Sequence, residues 1–273
     1  MVGSTIKAPE KLNKPAGRVM LNVNNICCVS KSQFGTSLTN VTFDLRQGEI
    51  LGIGGVAGNG QDELFAVLSG EQFSQNGSIS FNGINITKFN PNQRRKIGLL
   101  SAPEERLGHA AAPNMSLIEN TLITAENSQN LVSRGFIDWK KSKAFAEKVI
   151  KKFDVRTPGS QNTAGSLSGG NLQKFVIGRE ILQNPSVFIV NQPTWGVDAA
   201  AASSIRQALL TLSENGAAIL VISQDLDELL EISDQFAALN GGALSRIEKT
   251  AELSMEQIGL MMGGAKDLEV HNV

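Results

Sequence analysis

A short apolar run at residues 49–54 feeds directly into Gly55-Val56-Ala57-Gly58-Asn59-Gly60, and a helical pattern starts at Gln61 and continues to about residue 68. No other stretch restricts the fold as strongly. A segment this rich in glycine is a poor strand or helix interior, because glycine loses more backbone freedom on ordering than any other residue. Strand, glycine loop and helix in that order form the context of a phosphate-binding loop. The backbone comes close to the ligand, and the helix N-terminus offers unpaired N–H groups and a partial positive charge.

The flanking chain fits a fold built from such units. Residues 187–190 are continuously apolar, as expected of a strand buried on both faces. Helix 199–215, strand 218–222, helix 226–232 and strands 236–239 and 243–247 follow. Upstream, 19–26 and 41–45 read as strands, the second with apolar and polar residues alternating. Strands at 78–81 and 97–100 come after the loop, separated by the Asn82-Gly83 turn and a polar stretch at 90–96. Strands alternating with helices predict an α/β fold around a largely parallel sheet. Residues 113–124 and 138–153 read as helices within an insertion spanning about 108–160. The second helix places Ala144, Phe145, Val149, Ile150 and Phe153 on one face and its lysines on a solvated one. A Ser/Thr/Gly loop after Pro158 then leads to Leu167-Ser168-Gly169-Gly170-Asn171-Leu172-Gln173-Lys174, at the head of a helix expected over 171–183.

Composition removes several functions. The formal net charge of the 273 residues is −1, so nothing points to a nucleic-acid polyanion as partner. No apolar run approaches the roughly 20 residues that span a bilayer. Cys27 and Cys28 are adjacent and have no CxxC partner, so they read as packing residues, and His109 and His271 are isolated; no metal site is expected. Residues 1–18, with Pro9 and Pro15, read as a linker and 264–273 as a tail.

The chemistry of the loops departs from an active phosphate site. The phosphate-binding pattern is G-x-x-x-x-G-K-[ST], where the lysine neutralises phosphate charge and the hydroxyl holds magnesium. Gly55 and Gly60 fit the frame, but Gln61 stands at the lysine position and Asp62 at the hydroxyl position. A carboxylate there is placed to cap the helix itself and to repel phosphate. Taken alone, the loop is equally a plain strand–turn–helix. Downstream, the apolar strand ends in Asn191 and Gln192, where an aspartate for magnesium and a glutamate for the attacking water belong. An amide coordinates magnesium poorly and accepts no proton. Gln224, in Ile222-Ser223-Gln224-Asp225, takes the place of a phosphate-sensing histidine.

The ordered set of glycine loop, residues 167–174, Asn191-Gln192-Pro193-Thr194, Gly196-Val197-Asp198 and residues 223–228 resembles the ATPases of ABC transporters over residues 19–263. Gly58-Asn59-Gly60-Gln61, Pro103-Glu104-Glu105-Arg106 and Asn191-Gln192-Pro193-Thr194-Trp195 are similar, more narrowly, to the degenerate C-terminal domain of tandem ATPases. Those serve nucleoside and simple-sugar importers of the basic-membrane-protein type. The resemblance implies a P-loop NTPase fold: a RecA-like parallel core, an antiparallel β-subdomain and an inserted helical subdomain. It implies that Ser168, Gly169, Gly170 and Asn171 act in trans on ATP and Mg2+ held by a partner ABC domain, with Asp198 at the dimer contact. The chain's own loop, Gly55, Gly58, Asn59, Gly60, Gln61 and Asp62, would bind nucleotide weakly or not at all, and no residue of its own site would be catalytic.

Phe34 is the one candidate to stack on adenine, or else simply packs; Trp195 reads as a loop anchor. The family's Q-loop glutamine is absent, with Pro103 and Glu104 nearby. Implied partners are a first ABC domain, transmembrane permease subunits and, indirectly, an extracytoplasmic solute-binding protein. The implied location is the cytoplasmic face of the membrane. Met1-Val2-Gly3 resembles the tail of such a first domain. ATP hydrolysis is then expected of the complex and not of this chain alone. The other readings are a non-catalytic interaction module and a soluble, non-transport ABC protein. The latter would carry a long coiled-coil insertion or basic arms, and neither is present in the sequence.

Overall fold

The computed structural model describes residues 15–264, so the Met1-Val2-Gly3 segment and His271 lie outside the described residues. Strands β1 (Val19–Cys28) and β2 (Leu38–Arg46) pair antiparallel; β3 (Ile50–Gly54) then runs through the glycine loop into α1 (Gln61–Ser69). Next come β4 (Asn76–Phe81), β5 (Ile84–Asn85), α2 (Pro91–Lys96) and β6 (Leu99–Ala102). Helix α3 (Leu117–Ala125), the hairpin β7 (Val132–Ser133) and β8 (Phe136–Ile137), and α4 (Trp139–Lys152) precede α5 (Gly169–Ile181). The chain closes with β9 (Val187–Asn191), α6 (Ala199–Glu214), β10 (Ala218–Ser223), α7 (Leu226–Ile232), β11 (Gln235–Asn240), β12 (Ala243–Leu244), β13 (Glu248–Lys249) and α8 (Met255–Met262).

One sheet is antiparallel, in the order β2-β1-β4-β5. The larger runs β12-β11-β3-β10-β9-β6, with β13 also on β11. Its β11-β3-β10-β9-β6 core is parallel. This agrees with the expected parallel core and antiparallel β-subdomain. Every residue of β3, β9 and β10 is buried, and the pleat sorts them into two layers. Leu51, Ile53, Val187, Ile189, Leu220 and Ile222 pack toward α1 and the antiparallel sheet. Ile50, Phe188, Val190, Ile219 and Val221 pack toward the helices on the other side. The parallel sheet is therefore covered on both faces, and its loops emerge at one edge as the functional loops.

Buried arginines hold the pieces together. Arg94, 1% exposed, donates to the carbonyls of Val67, Leu68, Phe89 and Ile86 at 2.5–3.3 Å and closes the C-terminal end of α1. Arg179, on α5, donates to Asn120 O and Ala110 O at 3.0 and 2.8 Å and to Glu180, which also receives Arg95 at 2.7 Å. These contacts hold α5 against α3 and the loop after β6.

Several local expectations change. The polar stretch at 90–96 is the helix α2, started by a reciprocal Asn90–Gln93 capping box with Pro91 in its first turn. The helix expected from 113 begins at Leu117, because Ser116 and Glu119 form the same box. The signature helix starts at Gly169, two residues early, since Ser168 is extended (φ −62°, ψ 152°) and takes the N-cap. The strand at 97–100 shifts to Leu99–Ala102 behind Gly98, whose φ is +91°. Of the strand expected over 243–247 only the first two residues form one, as β12, and β13 lies just beyond it. On α4, Ala144 faces solvent rather than the core. Among the described residues no helix is long and apolar enough to cross a membrane.

Candidate functional site

The chain's own glycine loop is held by its own side chains. Gln61, 6% exposed, donates from Nε2 to Val56 O (2.9 Å) and accepts the Asn59 amide at Oε1 (3.0 Å). Asn59 also donates to Val56 O and receives Gly241 N–H at Oδ1 (2.8 Å), while Gly242 N–H reaches Asn59 O. Thr36 Oγ1 donates to Gly58 O at 2.5 Å. A Cβ at Gly55 would lie 2.6 Å from both Gln61 Nε2 and Leu239 O, so only glycine allows this closure. Phe34 is nearby in sequence to Thr36 and is 89% exposed.

Asp62 does not cap α1 as expected. Its Oδ1 instead accepts Asn191 Nδ2 at 3.3 Å, an amide–carboxylate contact. Magnesium would gain a weak amide ligand and lose this contact, and phosphate would meet the Asp62 charge with no lysine to offset it. Gln61 fills the loop that phosphate would enter. These residues do not fit Mg-ATP.

Gln192, at φ +52°, donates its N–H to Ile222 O (2.8 Å) and accepts Ser223 Oγ and Gln224 N–H at Oε1 (3.3 and 3.4 Å). Its side chain is thus engaged with β10, and a carboxamide cannot serve as a general base. Gln224 itself is exposed. Behind them lies Glu228, a residue that sequence patterning did not single out. It is 1% exposed and accepts Ser223 Oγ at 2.9 Å, and burial pushes its carboxyl up to about 7 against the hydroxyls of Thr194 and Ser223. Its third position in α7, after the N-cap Asp225, was the available signal.

The signature end is built differently. Ser168 is the N-cap of α5, but its side chain caps no N–H; its hydroxyl accepts Asn171 Nδ2 at 2.9 Å, and Asn171 Oδ1 receives Arg156 N–H at 2.8 Å. The first turn of this thirteen-residue helix therefore receives no hydrogen bond from the side chain of its N-cap. Ser168, Gly170, Asn171 and Asp198 line one groove of about 390 Å3 with Lys174 and Arg156. Asp198 caps α6 through Ala201 N–H (2.9 Å). That bond, with Lys174 and Arg156, holds its carboxyl below the usual range. Gln173 donates to Gln192 O and Pro193 O, fixing α5 to the loop before Asp198.

A second cavity, about 800 Å3, lies between Asp62, Glu104, Arg106, Gly169, Asn191 and Trp195. Burial and the neighbouring Asp62 raise the Glu104 carboxyl. His109 is not isolated: it meets Glu71 at 3.1 Å and stands edge-on to Phe65, and the Glu71 hydrogen bond raises its pKa. Cys28 is buried, Cys27 half-buried, and both are free thiols.

Residues 38–195 match the family model of the ABC transporter. The chain is 33% identical over 265 residues to the nucleoside import ATP-binding protein of Lactococcus lactis, covering 97% of this chain and 52% of that protein. It is 35% identical over 233 residues to the glucose import ATP-binding protein of Haloferax volcanii, covering 85% and 42%. With the galactose/methyl galactoside import ATP-binding protein of Escherichia coli it shares 34% over 261 residues, covering 94% and 50%. The chain thus spans about half the length of the curated relatives it matches. In fold it is similar to a dimeric ATP-binding cassette in a post-hydrolysis state bound to ADP and Pi, with a TM-score of 0.72 at 20% identity, covering 85% of this chain and 99% of that one. A nucleotide-free cassette gives 0.69 at 23%, covering 92% and 98%.

Proposed function

Because the chain belongs to the ABC transporter family, we propose that it is the nucleotide-binding domain of an importer for nucleosides or simple sugars. Its own ATP site is degenerate, and its signature completes the site of a partner domain. In this family the domains work head to tail, each nucleotide lying between the P-loop of one domain and the signature of the other. Ser168, Gly169, Gly170 and Asn171 then face ATP and Mg2+ held by the partner, and Asp198 contacts that domain across the dimer. Phe34 is the residue placed to stack on adenine, beside a loop that takes little nucleotide.

One observation carries the reading. The own loop is satisfied from within by Gln61, Asn59 and the Asp62–Asn191 contact, whereas the α5 N-terminus keeps its donors and the exposed Ser168. The substrate class rests on the nucleoside, glucose and galactose importers among the relatives. The partner domain, fused or separate, accords with relatives about twice as long as the matched stretch. The permease subunits, the solute-binding protein and the cytoplasmic face of the membrane come with an importer. The domain limits proposed are 19–263, with the helical subdomain at about 108–160.

Titration with a labelled ATP analogue tests it. The chain alone is expected to bind weakly and to turn over negligibly, and the partner domain to bring tight binding and hydrolysis. Robust turnover by the 273-residue chain alone refutes the degenerate site. No nucleotide binding in the presence of the partner favours the interaction-module reading.

A further inference from the structure

The loop after β6 carries a residue that neither half of the proposed site accounts for. Arg106 reaches out of Pro103-Glu104-Glu105-Arg106 and donates from Nη2 to Trp195 O. The same guanidinium lies over two glycines. A Cβ at Gly196 would come 3.0 Å from Arg106 Nη2, and a Cβ at Gly169 would come 2.7 Å from Nη1. Gly169 opens the signature helix α5, and Gly196 (φ +63°) stands two residues before Asp198. The two loops also touch each other, since a Cβ on Gly170 would sit 3.7 Å from Val197 Cα. On the far side, Gln173 already pins α5 to Gln192 O and Pro193 O.

We propose that Arg106 is a positioning residue that clamps the signature loop to the Trp195–Asp198 segment, so that Ser168 and Asp198 are presented to the partner domain as one rigid edge. The proposal rests on the composite-site reading above. A flat guanidinium suits this role because it seats on two Cβ-free surfaces and still directs an N–H at a carbonyl in its plane. A lysine head is a point charge on a flexible stem and cannot do both. The clamp also starts from the loop that holds Glu104 beside Asp62, so the degenerate site and the signature edge share one connecting side chain. Its guanidinium adds positive charge beside the α5 N-terminus, which reinforces that end for a phosphate oxygen.

Two readouts test the clamp. In the assembled transporter, Arg106→Ala is expected to lower kcat for ATP about tenfold or more, the scale of a misplaced catalytic edge. KM for ATP stays near wild type because the partner's P-loop does the binding. In the full chain carrying Trp139→Phe, Trp195 is the remaining tryptophan, and its fluorescence anisotropy falls when Arg106→Ala frees its carbonyl. If the alanine variant does not fold, Arg106→Lys takes its place, with the same kcat loss and anisotropy drop expected at an unchanged Tm. If Ser168→Ala abolishes turnover while the Arg106 variant turns over normally, the clamp is overturned and the composite site stands. If Ser168→Ala leaves turnover unchanged, the composite site falls, and the anisotropy decides the clamp: a drop supports it and no drop overturns it.

Discussion

Glu228 should make the stability of this domain depend on pH in a way a single substitution removes. The carboxyl is 1% exposed and burial raises it from 4.5 to about 7. An acid whose folded pKa exceeds its unfolded value binds more protons in the native state between the two. Stability from Glu228 is therefore fully present below pH 4.5 and is lost as pH rises through about 7. At roughly 1.4 kcal/mol per pKa unit, the difference amounts to about 3 kcal/mol. In Glu228→Gln the amide keeps the shape and the Ser223 contact but cannot ionise. The measurement is the unfolding free energy of both proteins by urea titration from pH 4 to pH 8, with the variant cancelling every other titrating group. The wild type is expected to lose about 3 kcal/mol relative to the variant across that range, or several degrees in Tm at about 2–4 °C per kcal/mol. Parallel profiles would mean that Glu228 is ionised in the folded protein at neutral pH, and the argument from burial would be wrong.

Two further outcomes follow from the same geometry. Replacing Gln61 by Lys and Asp62 by Ser together should give the isolated chain measurable affinity for a labelled ATP analogue without hydrolysis, since Asn191 and Gln192 remain amides; equilibrium binding and phosphate release report the two separately. Arg94→Leu should destabilise the domain by at least about 3 kcal/mol, because it leaves buried carbonyls of Val67, Leu68, Phe89 and Ile86 without a donor; a loss below about 1 kcal/mol in chemical denaturation would show that water replaces the guanidinium.

The fold was readable where the chain states it locally. The apolar runs of β3, β9 and β10, the glycine loop and the amphipathic α4 announce themselves by period and by breaker residues. Elements that escaped are short and held by partners: β5, β13 and the β7–β8 hairpin each have two residues per strand, too few for a periodic signal. Helix α2 was polar enough to pass for loop although Asn90, Pro91 and Gln93 spelled its start. In the site, amide-for-acid changes were visible residue by residue, but their consequence was not. Asn191 meets Asp62 across 129 residues of chain, and Arg106 meets Trp195 across 89. Such contacts come from the parallel topology that brings the ends of β3, β6 and β9 to one edge, and no spacing in the sequence encodes them. His109 looked isolated for the same reason, its partner Glu71 lying just past α1.

The glycine loop and the signature loop are proposed to divide the labour, and the ATPase rate of the assembled transporter measures that division directly. Ser168→Ala is expected to abolish most turnover while Gln192→Ala, in the site proposed to be degenerate, changes it little. Full turnover with Ser168→Ala, or a collapse with Gln192→Ala, would contradict the account.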